Sequence, residues 1–361
     1  METPFGTVYS TNITSDPEHG IGTWSLAAFT RAMREGISRD GRHLYPAFPY
    51  TSFAKLDDAD IEALYAYLMN QPGVPVRSPE TRLAFPLNMR SGMALWNAAF
   101  HDPRPFREDP ARSPLWNQGA YLVEGAGHCS ACHSPRNAAG AEVGGAGRYM
   151  GAQVDGWWAP ALAAAGTLGP AWSEQDFYDY LRHGQSPRHG VAGGPMAPVI
   201  AELAELPDED LRAMAHYLSS LGHEAAASPQ SNAQGNDQAA RLERLAQTQA
   251  VSLASSRGAR AFEAACAVCH VEGPVATFGL RPSLAVNSVV RAPVPDNLIH
   301  TILQGASNRQ FPERGIMPGF AQALSDEQVA DIVTYVRQRF APDRPAWQNV
   351  RDSVGRARAH L

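Results

Sequence analysis

Two short stretches decide the fold of this chain: Cys129-Ser130-Ala131-Cys132-His133 and Cys266-Ala267-Val268-Cys269-His270. Both have the spacing C-x-x-C-H, which is typical of c-type haem attachment. In such a motif the two thiols add to the vinyl groups of the haem, and the adjacent histidine binds the iron as its proximal ligand. The four cysteines of the chain all lie in these motifs. The sequence therefore predicts two covalently bound c-type haems, with His133 and His270 as proximal ligands.

Two other kinds of site also use a C-x-x-C pair. A thioredoxin-like redox site lies in a βαβ context, and no alternating strand pattern surrounds either motif. A zinc site would need the two pairs to converge, yet they lie far apart in the sequence and each has its own histidine. Haem attachment is the interpretation that fits both motifs.

An internal repeat indicates the second ligand of each iron. Three glycines each end a short helical stretch, and the residues twelve positions later are Phe48, Met196 and Met317. A helix start and then a tyrosine follow at matching offsets; the glycines are Gly36, Gly184 and Gly305, and the tyrosines are Tyr67, Tyr217 and Tyr335. We expect Met196 to complete the iron site of His133, and Met317 that of His270.

Methionine at this position favours electron transfer. A thioether is a weak ligand that raises the reduction potential, and an iron bound by His and Met has no open position for a substrate. A single methionine is usually core filler, but the matching position and the Gly- and Pro-rich loops favour ligands here. Met150 is the alternative for the first motif, although it lies outside the repeat.

The first copy of the repeat has the glycine, the loop and the last helix but no cysteine, and Phe48 stands where the other copies have methionine. By the intervals of the other copies, its C-x-x-C-H would fall at or before residue 1. Residues 1–30 also lack a signal-peptide pattern, although haem c is attached outside the cytoplasm. We expect the chain to begin inside a domain, so that a longer protein carries a third haem or this copy has lost its haem.

Composition and length agree with three copies in 361 residues. The net charge of −6 argues against nucleic acid as a partner, and no apolar run reaches the roughly 20 residues of a transmembrane helix. We expect an incomplete domain at 1–75 and a linker at 76–112, followed by a haem domain at 113–224, called the middle domain. A second linker at 225–250 leads to another haem domain at 251–342, called the third domain, and a tail follows at 343–361.

Several local expectations follow from the same patterns. Asp57, Pro207 and Ser325 mark helix starts, and Ser325 with Gln328 forms a capping box. Phe262 and Tyr121 should face inward from the helices that precede the two motifs. We expect 76–112 to be an extended strap whose Trp96 and Phe100 pack on a domain. The stretch 225–240 has the composition of a flexible linker, with helix from Ala240 to Leu253 and a short arginine-bearing helix in the tail.

The repeated unit resembles the cytochrome c domain. In that family a first helix leads into C-x-x-C-H, a loop brings a methionine to the iron, and a last helix packs crosswise on the first. The resemblance implies an all-α fold of tandem cytochrome c-like domains, with two complete haem domains and one incomplete N-terminal copy.

Longer stretches are similar to the tri-haem cytochrome c subunits of bacterial alcohol, aldehyde and gluconate dehydrogenases; they are 3–14, 44–52, 116–122 and 156–160. Residues 189–199 are similar to a narrower branch, the cytochrome subunit or domain paired with molybdenum hydroxylases such as nicotinate and isoquinoline or aldehyde oxidoreductases. The resemblance implies that a catalytic dehydrogenase subunit supplies electrons and that quinone or a soluble cytochrome or oxidase accepts them. It also implies a periplasmic location at the inner membrane, with attachment that is peripheral or through the partner.

Further cofactor contacts follow from this resemblance. Arg136 and Arg281 are candidates to pair with haem propionates. Trp157 and Trp158 are candidates to pack on haem or to donate indole N–H groups to a propionate. Pro135 is a candidate to present its carbonyl beside the first haem.

Two other functions use similar haems. A stand-alone di-haem enzyme, such as a peroxidase or a thiosulfate dehydrogenase, needs one haem with an open or displaced distal ligand, and the two methionines in matching positions argue against it. A haem-based sensor needs an output domain, which this sequence lacks.

Overall fold

Helices make up most of the regular structure of the chain, and its strands are short. The computed structural model describes residues 2–3, 5–163, 169–225, 232–270, 283–307 and 316–361. The chain divides into two compact units, Met1–Ala131 with Arg136–Glu142 and Cys132–Pro135 with Val143–Leu361. The all-α fold predicted from the sequence is confirmed. No helix in these described ranges combines the length and the apolar character needed to cross a membrane.

The first unit holds the first copy of the repeat and the helix that leads to the first motif. Its strands form one antiparallel sheet in the order β1-β2-β3. The elements are β1 (Glu2–Thr3), β2 (Gly6–Thr7), α1 (Leu26–Glu35), α2 (Tyr50–Phe53), α3 (Asp58–Met69), β3 (Arg82–Leu83), α4 (Gly92–Phe100) and α5 (Pro114–Glu124); α6 (Ser130–His133) carries the first motif across the boundary.

The helices of the first copy begin and end where the sequence predicts. Asp57 caps α3, since its carboxylate accepts a hydrogen bond from the Asp60 N–H. Gly36 ends α1 with a left-handed backbone, φ 63°, as expected of the repeated glycine. The helices enclose a small apolar core, made of Ile21, Phe29, Met33, Leu56 and Ile61.

The second unit holds the middle and third domains. Four of its strands form two-stranded antiparallel ladders in the middle domain, and two form one in the third. After a 3₁₀ turn at Gly145–Gly147, the elements are β4 (Ala152–Val154), β5 (Trp157–Ala159), α7 (Glu174–His183), β6 (Gln185–Ser186), β7 (Gly190–Val191), α8 (Met196–Leu203), α9 (Asp208–Ala225), α10 (Asn232–Leu253), α11 (Arg257–Ala265), α12 (Ala267–His270), α13 (Ser288–Arg291), α14 (Asp296–Gln304), β8 (Ala306–Ser307), β9 (Ile316–Met317), α15 (Asp326–Phe340) and α16 (Val350–Ala359).

The third domain is built on the packing of its first helix against its last. Gly258 of α11 lets α15 approach closely, because a Cβ there would overlap the carbonyl of Asp331. Phe262 is 1% exposed, and its ring lies 5.3 Å from that of Tyr335 and 5.8 Å from that of Phe340. The inward orientation of Phe262 and the packing role of Tyr335 are confirmed. The predicted capping box of Ser325 and Gln328 also starts α15.

The repeated tyrosine does not have the same environment in every copy. Tyr217 and Tyr335 are each 3% exposed, whereas Tyr67 in the first copy is 63% exposed. There Tyr65 faces the core instead, and its ring lies 5.5 Å from that of Phe29. The first copy therefore keeps the helix but has changed the face that it buries.

The linkers contain more helix than expected. The strap at 76–112 is not extended throughout, because α4 forms over Met93, Ala94 and Leu95 and neighbouring strong helix formers. Trp96 of α4 packs on a domain as predicted, with its indole N–H donating to the Ala139 carbonyl at 2.9 Å. The flexible composition before residue 240 was misleading, since α10 already begins at Asn232. The predicted tail helix is α16, and it buries Val354 completely.

Candidate haem sites

The first motif begins at Cys129 and continues into α6, a single helical turn that starts at Ser130. Cys129 and Cys132 are half-buried, and Ser130 between them is fully buried. All four cysteines lie in the described part of the chain, and they form no disulfide with one another.

His133 is prepared to bind iron through Nε2. Its Nδ1 lies 2.7 Å from the carbonyl oxygen of Pro160. A carbonyl only accepts, so Nδ1 carries the proton and Nε2 keeps its lone pair. Burial lowers the pKa of His133 although the Pro160 hydrogen bond opposes this, so the ring is neutral. A metal-binding histidine whose other nitrogen donates to a carbonyl is held in its tautomer and orientation.

The Pro160 carbonyl is presented by the hairpin β4–β5. Asp155 and Gly156 form its two-residue turn, with φ 49° and 77°, as in the type I′ turns that favour Asp-Gly. The Pro135 carbonyl accepts from the Val143 N–H at 2.8 Å, and its place beside the haem stays a prediction. Sequence reasoning missed Pro160, although the Asp-Gly pair signalled a hairpin. Pro160 lies 27 residues after His133 in the sequence, and nothing in the sequence indicated that the hairpin brings this carbonyl to the histidine.

The two methionines lie at the ends of loops. Met196 is half-buried at the first position of α8, where its N–H donates to the Gly193 carbonyl at 3.2 Å. Met317 lies on β9, pairs with Ala306 and packs on the core of the third domain. Met150, the alternative, is 41% exposed. Met196 and Met317 as iron ligands stay predictions.

The second motif directly continues a core helix. Cys266 ends α11 and is 8% exposed, and burial, together with the nearby Cys269, raises the pKa of its thiol to about 11. The N–H groups of Cys269 and His270 both donate to the Cys266 carbonyl at 3.0 Å, which forms the turn that carries the histidine. Arg281, the candidate propionate partner here, lies outside the described residues.

The other candidate contacts have partners of their own. Arg136 donates to the carbonyls of Gly140 and Ala131, each at 2.9 Å, so it fastens the loop around the motif; a propionate contact stays a prediction. Trp157 stacks on His300, with ring centroids 4.7 Å apart. Trp158 has a buried indole N–H for which the described residues provide no acceptor. A propionate is one acceptor that would satisfy it.

The residues present therefore fit a c-type haem in the middle domain. Cys129 and Cys132 would hold it through thioethers, His133 Nε2 would bind its iron, and Trp158 would supply a donor. When bound, the haem supplies one-electron redox chemistry.

Comparison with known proteins gives the same class of fold. Residues 117–222 match the cytochrome c family, and residues 254–336 match the family described as cytochrome c oxidase, cbb3-type, subunit III. The chain is 36% identical over 94% of its length to the fructose dehydrogenase cytochrome subunit of Gluconobacter japonicus, and covers 73% of that protein. It is 37% identical over 96% of its length to the alcohol dehydrogenase (quinone) cytochrome c subunit of Gluconacetobacter polyoxogenes, and covers 75% of it.

A higher identity links the chain to a larger protein. It is 53% identical over its full length to a nicotinate dehydrogenase subunit of Pseudomonas putida, and it spans 29% of that subunit. The chain belongs to the family of cytochrome c subunits of bacterial dehydrogenases, and it carries two c-type haems. The family resemblance predicted from the sequence is thus confirmed, and cytochrome c domains indicate a location outside the cytoplasm. The exact domain bounds stay a prediction.

Proposed function

We propose that this chain relays electrons from a catalytic dehydrogenase, through two c-type haems with His and Met ligands, to quinone or to a soluble cytochrome or oxidase. The hydrogen bond from His133 to Pro160 carries the proposal, because it holds a neutral imidazole ready for permanent iron ligation. The kinship with dehydrogenase cytochrome subunits supports the same role.

The residues of the chain set the properties of such a relay. A proximal histidine that donates to a carbonyl is a firmer ligand, and a distal thioether raises the potential of the haem. With a histidine and a methionine both bound to the iron, substrates and oxygen would have no position on it.

The catalytic partner is a molybdenum hydroxylase that acts on a nicotinate-like heteroaromatic acid. The support is the difference in identity, 53% to the nicotinate dehydrogenase subunit against 36–37% to the fructose and alcohol dehydrogenase subunits. The complex works at the periplasmic face of the inner membrane, and this chain associates with the membrane peripherally or through its partner.

A redox-titrated visible spectrum of the purified holoprotein, with carbon monoxide added and haem counted per chain, tests the relay. We expect two low-spin haems and no shift on adding carbon monoxide. Met196→Ala and Met317→Ala should each open one haem to carbon monoxide and lower its potential, within the roughly 0.8 V range that axial ligands set. A carbon monoxide-reactive haem in the unaltered protein would instead favour the di-haem enzyme.

Reduction by substrate tests the partner. The isolated complex of this protein with its catalytic subunit should reduce both haems when nicotinate is added, and should not do so with fructose, ethanol or gluconate. Rapid reduction by one of those alcohols or sugars would overturn the assignment to a molybdenum hydroxylase and leave the relay itself intact.

A further inference from the structure

The indole of Trp157 lies between two parts of the second unit that the proposed function treats separately. One is the loop that leads into Met196 in the middle domain. The other is α14 of the third domain, which carries His300. Trp157 stands at the start of β5, next to the turn of the hairpin that also presents Pro160 to His133.

The contact with the loop is close and specific. Gly194 has a left-handed backbone, φ 53°, and a Cβ on it would overlap the six-membered ring of Trp157. A Cβ on Gly193 would touch the same ring at 3.5 Å. The indole therefore rests on the backbone of two glycines, two and three residues before Met196. No side chain on these two residues separates the ring from that backbone.

The contact with the third domain is equally defined. The ring of His300 stacks on Trp157 with an interplanar angle of 18°, and His300 is 6% exposed. Gln304 Nε2 lies 3.3 Å from His300 Nδ1, and Gly156 lies beside the other ring nitrogen, since a Cβ built on Gly156 would be 3.6 Å from His300 Nε2. These contacts fix the imidazole plane, so the stack has one orientation.

We propose that Trp157 is a positioning residue through which His300 of the third domain holds the Met196 loop at the haem of the middle domain. The inference rests on the proposed function, in which Met196 is the distal ligand. It implies that a change in the third domain alters the ligation of the haem in the middle domain. Because a thioether is a weak ligand, small displacements of its loop are enough to release it.

The test compares His300→Ala and Trp157→Ala with Met196→Ala, which defines the spectrum of the middle haem after loss of its methionine. We expect Trp157→Ala to weaken the absorption band of methionine-bound ferric haem. The haem of the middle domain should become reactive to carbon monoxide, and the haem of the third domain should not. His300→Ala should change the same haem to a smaller extent, and Trp157→Phe should largely restore it. Unchanged bands in both alanine variants, or a change in the other haem, would overturn the proposal.

Hydrogen exchange separates this inference from the ligand assignment. The N–H groups of Ala192, Met196 and Ala197 are held by bonds to Gly184, Gly193 and Gly194, and their exchange should become several-fold faster in Trp157→Ala and His300→Ala holoproteins. If it does while Met196→Ala leaves the spectrum unchanged, the contact stands and the methionine assignment fails. Unchanged exchange overturns the contact.

A matched variant distinguishes positioning from general attachment of α14 to the hairpin. The side-chain amide of Asn297 on α14 donates to the backbone carbonyl of Trp158 at 2.8 Å and accepts from the backbone N–H of Trp158 at 2.7 Å. Asn297→Ala weakens the same interface without removing either ring, so it should leave the haem spectrum and the loop exchange unchanged. If Asn297→Ala matched His300→Ala in both measurements, the effect would belong to the whole interface, and the role of Trp157 would be refuted.

Discussion

The helices that precede the two haem motifs occupy the same place in the repeat but pack on different partners. In the third domain, Phe262 of α11 is buried against Tyr335 and Phe340 of the last helix of its own domain. In the middle domain, the hydroxyl of Tyr121 on α5 accepts from the Asp57 N–H and donates to Asp60, both in the first copy. Tyr121 also packs on the apolar core of the first copy, so it faces inward as predicted, although toward a different copy of the repeat.

This difference shows a structural role of the first copy. Lys55 pairs with Glu124 at the end of α5, with Nζ and Oε2 3.6 Å apart. The ring of Phe53 lies 5.6 Å from that of His128, the residue directly before Cys129. The first copy thus supports the approach to the first motif, whereas the third domain supports its motif with its own core.

The largest effect is expected from the apolar side of this comparison. Phe262→Ala should destabilise the third domain by about 3–5 kcal/mol, because it removes a fully buried ring from between α11 and α15. Denaturant unfolding of the holoprotein, monitored through the absorption of the haem of the third domain, measures this loss of stability. Phe85→Ala is the control, since Phe85 is 79% exposed and should change stability by less than about 0.5 kcal/mol. A loss below about 1 kcal/mol for Phe262→Ala would show that the bound haem, and not the helix packing, carries this domain.

The middle domain depends more on buried charge. Burial alone would raise the pKa of Asp176, but the neighbouring His189, Arg188 and Ser173 side chains outweigh it and hold the pKa well below its ordinary value. A carboxyl group with a lowered pKa contributes its full stability above about pH 4, and the contribution is lost as the pH falls further. Asp176→Asn should lower stability at pH 7 by about 3 kcal/mol and flatten the loss in acid.

Urea titrations between pH 3 and pH 7 measure whether the stability contributed by Asp176 is lost as the pH falls. The control is Asp58→Asn, because Asp58 is largely exposed in its pair with Arg34. If the Asp176 variant lost as much stability in acid as the unaltered protein, the carboxyl group would not be the source of the acid sensitivity.

Sequence reasoning succeeded where the signal is local. The helix ends at Gly36, Gly184 and Gly305, the capping box of Ser325 and the tail helix all depend on residues within one or two turns of each other. It failed where a contact depends on tertiary structure, as with the Pro160 carbonyl at His133 and the partner of Tyr121. Helix periodicity shows which face is apolar but not which neighbour covers it, and a repeat suggests the same neighbour in each copy.

A smaller effect is expected at Tyr121, where the two helices differ. Tyr121→Phe removes a hydroxyl that bonds a backbone N–H and a carboxylate on the partly exposed surface of the first copy, so we expect a loss of about 1 kcal/mol. Denaturant unfolding should place this loss in the transition that involves the middle haem. Tyr67→Phe is the control, because Tyr67 is 63% exposed. Equal losses in the two variants would show that the contact of α5 with the first copy contributes little.

The smallest effects are expected where the two helices are alike. Ser113 caps α5 by accepting from the Trp116 N–H at 3.1 Å, and Ser256 caps α11 by accepting from the Ala259 N–H at 3.0 Å. Replacing either serine by alanine leaves one N–H at the helix end without its acceptor, which costs about 0.5 kcal/mol. Ser113→Ala and Ser256→Ala should therefore lower stability by similar amounts, and Ser→Asp at each position should retain most of it. If only Ser256→Ala had an effect, α5 would be held in place by its contacts with the first copy regardless of its cap, and the difference between the two helices would extend to their first turns.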